Sequence, residues 1–424
     1  MKASEINKKI QEGALKSFSE LYSDIEREKA RFSRMLDGFI SLFGDCEAVL
    51  LSVPGRSEIS GNHTDHNRGS VLAGAIDRDV IAVAAKNGED VIRFFSEGYP
   101  MSVVELSSTD SPENFEKYSS TSLIAGMVDG FKKRGFKVGG MNVYSTSDVL
   151  KGSGISSSAA YEVMIGNALN HLYNGGSVAN EEIAKLAQYS ENVYFGKPCG
   201  LMDQMACAVG GFVYIDFSDD KNPEVVPIEF SLSERGYALC IVNTGGNHAD
   251  LNEDYASVPA EMKSVARELG RDVLSGVTEA ELIHSIPALR EKLGDRAVLR
   301  AIHFIRENER VRRAREALRE AKLSDFFAAV NESGSSSFKY LQNVYTTKNV
   351  LEQGISLALA LAEGYLMGDG ASRVHGGGFA GTVQVFVKKE RLSGLVELMD
   401  SVFGEGSATA FNIRPHGAIR LELL

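Results

Sequence analysis

A glycine- and serine-rich stretch at residues 151–160 has the composition needed to hold a phosphate group. It reads KGSGISSSAA and lies between a predicted strand and a predicted helix. Glycines let backbone N–H groups approach an anion, a helix N-terminus carries partial positive charge, and serine hydroxyls donate to phosphate oxygens or ligate a hard cation. The stretch therefore predicts a nucleotide site formed by Gly152, Ser153, Gly154, Ile155, Ser156, Ser157, Ser158 and Ala159.

Taken alone, the same stretch has a simpler explanation. A glycine-rich turn followed by serine N-caps is the commoner cause of a Gly-x-Gly pattern. The stretch also lacks the GxxxxGK[ST] pattern of P-loop proteins and the third glycine of a dinucleotide-binding loop. Both of those classes are disfavoured, and a phosphate site needs support from other segments.

Helices and strands alternate around this stretch, which is typical of a mixed α and β architecture. Apolar periodicity and short apolar runs predict helices over 15–43, 121–134 and 159–172, and strands over 48–53, 70–76, 80–86 and 141–149. Pro54-Gly55 is expected to end the first strand, and a polar turn to separate the second from the third. A second group comprises strands over 237–244 and 382–387, with helices over 258–269, 299–322 and 324–332. We predict two α+β domains, 1–225 and 226–424, with the break near the polar, proline-containing segment 218–232.

Composition excludes several classes of partner. The formal net charge of −12 disfavours nucleic acids and anionic membranes, because both attract positive surface. The four cysteines form no CxxC pair and no cluster with histidine at zinc spacing. No apolar run approaches the roughly 18 residues that a membrane-spanning helix needs. We predict a cytoplasmic protein without disulfide bonds and without a nucleic-acid or membrane partner, and we expect a monomer.

Several segments resemble one known family. GSGISSSAA and Gly376–Gly381 (GGGFAG) are similar to two motifs of the GHMP superfamily of small-molecule kinases. Within that superfamily, residues 54–69 resemble the galactokinase motif PGRVNLIGEHTDYNxG. The segment 191–204, ENVYFGKPCGLMDQ, resembles the galactokinase motif that ends in CGIMDQ. The motifs occur in the family's order and the similarity covers most of the chain.

The resemblance implies a fold and an activity. The fold is a ribosomal S5-like N-terminal half and a ferredoxin-like C-terminal half, with the active site in the cleft between them. The activity is transfer of a phosphoryl group from ATP to the anomeric (C1) hydroxyl of D-galactose, with Mg²⁺. Ser157 and Glu191 would hold Mg²⁺, Asp203 would accept the proton of the C1 hydroxyl, and Arg56 would stabilise negative charge near the transferred group.

The resemblance also implies the sugar contacts, which are Asn62, His63, Asp65, Gly200 and Tyr255. Asp65 can accept two hydroxyls and His63 can pair with a third. Tyr255 is a candidate because His248 and Tyr255 keep the seven-residue interval of the family's RHSLASSEY segment, although core packing explains a tyrosine nearly as well. A metal site at His63 and His66 is disfavoured because no further ligands adjoin them. Singly, Glu191 could be a solvated helix-end carboxylate and Asp203 a loop cap, but together they match the motif.

Departures from the family leave alternatives open. Asn62 replaces a glutamate that in the family pairs with the C6 hydroxyl, and an amide can donate to a hydroxyl or to a carboxylate. Galacturonate, or another sugar altered at C6 or N-acetylated, is therefore an alternative substrate. Ser57-Glu58 replaces Val-Asn and His66 replaces tyrosine. A non-catalytic sensor that binds ATP and galactose is a further alternative, against which the retained Asp203 argues.

Overall fold

The computed structural model of this chain describes residues 1–14, 18–22, 24–149, 154–219, 221–246 and 251–422. Residues 15–17, Gly152, Ser153 and His248, all singled out above, lie outside this described part. In chain order the helices are α1 (Ala3–Gln11), α2 (Phe18–Leu21), α3 (Ile25–Phe43), α4 (Ser120–Lys133), α5 (Ser157–Tyr173), α6 (Asn180–Tyr189), α7 (Met202–Val209), α8 (Asn252–Glu268), α9 (Glu279–Leu293), α10 (Asp295–Arg319), α11 (Leu323–Ser336), α12 (Gly354–Leu366) and α13 (Leu392–Phe403). The strands are β1 (Val49–Ser60), β2 (Ser70–Lys86), β3 (Val91–Ser96), β4 (Ser102–Glu105), β5 (Met141–Ser147), β6 (Phe212–Asp216), β7 (Glu224–Ile228), β8 (Tyr237–Asn243), β9 (Ala371–His375), β10 (Thr382–Lys388), β11 (Ala408–Phe411) and β12 (Ile419–Arg420).

Two compact units alternate along the chain. Unit 1 consists of Met1–Arg56, Ala75–Gly211 and Arg414–Leu424, and unit 2 of Ser57–Gly74 and Phe212–Ile413. The two continuous domains expected from the sequence, 1–225 and 226–424, stay a prediction. The mixture of helices with antiparallel and parallel strands confirms the predicted α+β class.

Unit 1 is a sheet covered by helices. Its strands follow the order β12-β1-β2-β5-β3-β4, in which β2 and β5 are antiparallel and β3 and β5 are parallel. Apolar residues of α1 and α3 pack on the sheet around Phe32, Phe39, Ile81 and Val83. No helix in the described part of the chain is long and apolar enough to cross a membrane.

Unit 2 contains a separate antiparallel sheet, in the order β11-β8-β10-β9. Val242, Val383 and Val385 of this sheet pack against apolar residues of α12 and α13. A second cluster forms among α8, α9 and α10. The start of β2, residues 70–74, pairs with β6, which pairs in turn with β7.

The structure corrects two predictions about strands. β1 continues through Pro54-Gly55, and Pro54 lies beyond Leu51 and Ser52, the β1 residues that pair with β12 in the described part of the chain. β2 is one strand across the polar triplet 77–79 and not two strands separated by a turn. The polar segment 218–232, near which the domain break is predicted, contains β7, an edge strand of the kind that accepts a proline at Pro227. Helix α1 escaped prediction because charged residues separate its buried Ala3, Ile6 and Ile10.

A buried ionic cluster explains why β2 runs through its polar triplet. Asp79 is 1% exposed, and its carboxylate accepts hydrogen bonds from Arg31 (2.7 Å), Arg414 (2.9 Å) and Tyr22 (2.6 Å). The Ser52 hydroxyl donates to the same carboxylate. Burial alone would raise the pKa of Asp79, but the two guanidinium groups outweigh it and hold the pKa at about 2. A charged side chain at this point of the strand is therefore fully compensated.

Candidate active site

Arg56 and Asp203 form a two-point ion pair in unit 1. Arg56 lies on β1, and its Nε and Nη2 atoms donate to the two carboxylate oxygens of Asp203, each at 2.7 Å. Asp203 is in the first turn of α7, where a carboxylate complements the helix dipole. Burial would raise the pKa of Asp203, but the charge and hydrogen bonds of Arg56 lower it below its usual value. Asp203 is therefore ionised at neutral pH.

The described end of the glycine- and serine-rich stretch packs against the same pair. Arg56 donates from Nη1 to the carbonyl oxygen of Gly154 at 2.7 Å, and from its backbone N–H to the carbonyl of Ile155 at 3.1 Å. Gly55 permits this approach, since a Cβ atom there would lie 2.7 Å from the Ile155 oxygen. Ser156 has a left-handed backbone (φ 61°), and its hydroxyl donates to Asp203. Ser157, Ser158 and Ala159 form the first turn of α5.

A cavity of about 470 Å³ lies beside this helix start, entirely within unit 1. Its walls include Ser157 and Ser158 together with aromatic side chains, among them Phe94, Tyr118, Tyr161 and Phe195. A pocket with aromatic walls and a helix N-terminus at one side can accept a flat ring joined to phosphate groups.

Two buried carboxyl groups meet at Gln204 of α7. Its amide donates from Nε2 to Glu191 at 2.8 Å and to Glu162 at 3.2 Å. Glu191 belongs to a π-helical turn, Ser190–Phe195, that follows α6. Lys197 lies 3.1 Å from the other oxygen of Glu191. Burial, together with the neighbouring Glu191, raises the pKa of Glu162 well above its ordinary value.

This cluster is chemically suited to a hard divalent cation. Carboxylate and hydroxyl oxygens are the ligands that Mg²⁺ prefers, and it commonly takes only one or two carboxylates from the protein. Glu162 Oε1 and Gln204 Oε1 are buried oxygens without a hydrogen-bond partner among the described residues. Among those residues, no group of three or more His, Cys, Asp or Glu side chains forms a metal cluster. The donor set therefore fits a cation that takes most of its ligands from phosphate and water.

In unit 2, Asn62 is buried and its amide is fully engaged. Its Nδ2 atom donates to Glu58 at 3.0 Å and to the carbonyl of Gly376 at 2.7 Å. Its Oδ1 atom accepts from Asn343 at 2.6 Å. Glu58 in turn pairs with the buried Arg373 at 3.1 Å. Both amide hydrogens of Asn62 are thus used inside unit 2, which argues against the predicted contact with a C6 group.

The other predicted sugar contacts of unit 2 lie around the glycine loop 376–378. His63 donates from Nε2 to the Gly377 carbonyl at 3.0 Å, and its remaining ring nitrogen is an acceptor when the ring is neutral. Burial lowers the pKa of His63 to about 4, so the ring is neutral at pH 7. Asp65 accepts from the backbone N–H of His66, and its side chain is 18% exposed. Tyr255 on α8 donates to the Gly378 carbonyl at 2.7 Å.

A fully buried histidine on α10 should make unit 2 sensitive to acid. Burial lowers the pKa of His303 to about 4, and its ring nitrogens pair with Ser336 and with the backbone oxygen of Asn62. The unfolded chain takes up a proton near pH 6.5 and the folded chain does not, so lowering the pH favours unfolding. We expect His303 alone to lower the free energy of unfolding by about 2 kcal/mol between pH 7 and pH 5.

Chemical denaturation of the wild type and of His303→Gln at both pH values checks this expectation. The variant should lose about 2 kcal/mol less than the wild type on acidification, since a glutamine does not titrate. Equal losses in the two proteins would contradict it.

Sequence reasoning missed several residues that support these groups. Glu162 lies on α5 between one and two turns after Ser157, and Gln204 directly follows Asp203 in the quoted segment 191–204; these positions were the available signal. Asn343 and Arg373 carried no such signal, because they are 281 and 315 residues from their partners Asn62 and Glu58. Gly200 lies in the loop that leads into α7, three residues before Asp203.

Comparison with known proteins first defines the class. Residues 122–211 match the family model described as GHMP kinases N terminal domain, and residues 37–86 match the galactokinase galactose-binding signature. A Lactococcus lactis galactokinase complexed with galactose superposes with a TM-score of 0.78 at 23% identity, covering 92% of this chain and all of that one. A Methanococcus jannaschii mevalonate kinase superposes with a TM-score of 0.59 at 16% identity, covering 89% of this chain and 99% of that one. The fold is that of the GHMP kinases, as predicted.

Relatives of known function narrow the class to one family. A galactokinase of Streptomyces coelicolor is 30% identical over 377 residues, which are 88% of this chain and 93% of that protein. A galactokinase of Thermotoga petrophila is 31% identical over 340 residues, which are 80% of this chain and 89% of that protein. The chain belongs to the galactokinase family. It is therefore a sugar kinase, and membership in the family implies ATP as its second substrate.

Proposed function

We propose that this protein transfers the γ-phosphoryl group of ATP to the C1 hydroxyl of D-galactose, giving galactose 1-phosphate and ADP. The observation that carries the proposal is the Arg56–Asp203 pair on the Gly154–Ser156 loop, in a chain of the galactokinase family. In the transfer, the C1 oxygen bonds to the γ-phosphorus while the bond to the β-phosphate oxygen breaks. The hydroxyl proton leaves toward Asp203, and ADP carries away the negative charge of the broken bond.

Asp203 and Arg56 have different roles at the reacting hydroxyl. Asp203 is ionised, and its lowered pKa makes it a weak base. Its carboxylate would first accept a hydrogen bond from the C1 hydroxyl and so orient it. The proton would move to Asp203 once the forming O–P bond has weakened the O–H bond. Arg56 fixes the carboxylate at two points and holds positive charge beside the forming bond. The pair thus positions the nucleophile more than it activates it.

The nucleotide site is proposed on α5 and the adjoining cavity. Backbone N–H groups and hydroxyls of Ser156, Ser157 and Ser158 would face the phosphates, and the aromatic-walled cavity would take the base. Ser157 and Glu191 would hold Mg²⁺, which when bound neutralises phosphate charge. Gly152 and Ser153 keep their predicted place in this site.

The sugar site is proposed around His63, Asp65 and Tyr255 of unit 2, and the contact expected from Gly200 stays a prediction. The neutral His63 ring can accept a hydroxyl, and the half-buried Asp65 carboxylate can accept two more. Asn62 is the weakest member of the predicted set, since its amide is engaged by Glu58, Gly376 and Asn343. A galacturonate substrate would need the Asn62 amide to donate to its C6 carboxylate. Because that amide is engaged inside unit 2, galacturonate is not favoured.

Removing the Asp65 carboxylate should impair sugar binding more than turnover. Two charge-assisted hydrogen bonds contribute about 1.5–3 kcal/mol each, so Asp65→Ala should weaken galactose binding by roughly two orders of magnitude or more. Isothermal titration of the variant with galactose measures this loss. The matched control is Asp219→Ala, an exposed aspartate of the same unit, which should bind galactose as the wild type does. An unchanged affinity in Asp65→Ala would remove this residue from the sugar site.

Release of ADP from Mg-ATP tests the activity itself. Galactose should give turnover, whereas glucose, galacturonate, N-acetylgalactosamine, mevalonate and homoserine should give little. Turnover on galacturonate but not on galactose would overturn the substrate assignment, and binding of galactose and ATP without turnover would indicate a sensor. The cytoplasmic location and the monomeric state stay predictions, which gel filtration and fractionation would check.

A further inference from the structure

The carboxylate proposed for Mg²⁺ is already paired with a cation of the protein. Glu191 is 2% exposed, and both of its carboxylate oxygens are occupied. Oε1 faces the Lys197 ammonium at 3.1 Å, and Oε2 accepts from Gln204 at 2.8 Å. A second buried carboxyl, Glu162, shares the Gln204 amide. A divalent cation on Glu191 and the Lys197 ammonium therefore compete for one oxygen.

Burial explains why Glu191 needs a positively charged partner whenever no metal is bound. A carboxylate removed from water costs several kcal/mol unless a counter-charge or several hydrogen bonds compensate it. Lys197, whose ammonium lies 3.1 Å from Glu191, supplies the positive charge of its ion pair. Without it, Glu191 would face the buried Glu162 carboxyl with one amide between them.

The Lys197 ammonium can separate from Glu191 without disturbing the core. Its side chain is 57% exposed, while that of Glu191 is 3% exposed, so the ammonium can move into water without breaking a packed core. Its flexible four-carbon stem holds a compact charge that rehydrates readily. It lies between the Glu191 and CGLMDQ parts of the motif, at a position that the motif itself does not specify.

We propose that Lys197 is a positioning residue that serves as a replaceable counter-cation of Glu191. It stabilises the buried carboxylate while no metal is bound, and the divalent cation that accompanies the nucleotide displaces it. This inference rests on the proposed function, because it assigns Glu191 to the metal. The consequence is a trade-off: the ammonium protects the metal-free protein and weakens its apparent affinity for the cation.

Lys197→Met removes the charge and keeps most of the stem. In EDTA we expect the variant to melt about 3 °C or more below the wild type, since Glu191 loses its partner. In a titration with MnCl₂ followed by electron paramagnetic resonance, the variant should bind Mn²⁺ about tenfold more tightly. Lys263→Met, a change at an exposed lysine of α8, is the control and should match the wild type in both measurements.

A second variant separates competition from a general structural effect. In a Glu191→Gln background, Lys197→Met should change neither the melting temperature in EDTA nor the remaining Mn²⁺ affinity. Equal Mn²⁺ affinity of Lys197→Met and the wild type would overturn the inference, and so would an effect that persists in the Glu191→Gln background. The wild-type ADP assay tests the proposed function separately, because melting and Mn²⁺ binding do not require turnover.

Discussion

Asp203→Asn should reduce kcat for galactose phosphorylation by about three orders of magnitude or more while changing the KM for galactose only slightly. The substitution keeps the size of the side chain and removes the negative charge that receives the hydroxyl proton. It also removes the charge that fixes Arg56 through two hydrogen bonds of 2.7 Å. Losses of this size are usual when a group that handles the proton also orients a second catalytic group. Steady-state kinetics with galactose and Mg-ATP measures both constants.

The control for this prediction is Asp110→Asn. Asp110 is an aspartate of the same unit whose side chain is 74% exposed, and its replacement should leave kcat unchanged. Circular dichroism should show the same helix content in both variants and the wild type. A kcat of Asp203→Asn within tenfold of the wild type would refute the catalytic role of Asp203.

Asp79→Asn should destabilise unit 1 by about 3–5 kcal/mol. The change leaves Arg31 and Arg414 without the carboxylate that they share, and both guanidinium groups are almost fully buried. Arg31 keeps its ion pair with Glu28 at 3.0 Å, whereas the buried Arg414 guanidinium loses the carboxylate that it faces. Removing one partner of a buried ion pair costs this much because the remaining charge is no longer compensated. Thermal and urea unfolding of the wild type and the variant at pH 7 measure the loss.

Asp110→Asn serves again as the comparison. Asp110 pairs with Lys132 at 2.8 Å at the surface, so breaking that pair should cost less than about 1 kcal/mol. The stabilisation by Asp79 is fully present above the pKa of an unpaired aspartate, about 3.9, because its own pKa in the folded chain is held at about 2. It is lost progressively as the pH falls from about 3.9 through about 2, since the unfolded chain takes up the proton first. Equal unfolding midpoints for Asp79→Asn and the wild type would contradict the role of the cluster.

The candidate site was predictable where its residues lie in contiguous motifs. Arg56, Asp203 and Ser157 each stand in a short pattern that the sequence displays directly. Their arrangement was not predictable from spacing, since Arg56 and Asp203 are 147 residues apart. The resemblance to a family supplied that link, and the hydrogen bonds in unit 1 give it a geometry.

Some features could not be predicted because the residues that stabilise them are distant in the sequence. The polar triplet that seemed to break β2 is satisfied by Arg31 and Arg414, neither of which is near it in the chain. Asn62 is predicted to contact the sugar, which stays a prediction, and local patterns do not connect it to Asn343, whose amide donates to Asn62 Oδ1. Local propensity and periodicity cannot detect such compensation, which only the folded chain provides.

The ion pair between Asp79 and Arg414 can form only after the ribosome has synthesised almost the whole chain. The two residues are 335 positions apart, so at ~5–20 residues per second a ribosome needs roughly 17–70 s after adding Asp79 before it adds Arg414. During that interval β2 has left the ribosome with only part of its ionic compensation. Unit 1 therefore completes its folding after translation has delivered unit 2, although its first strands are synthesised early.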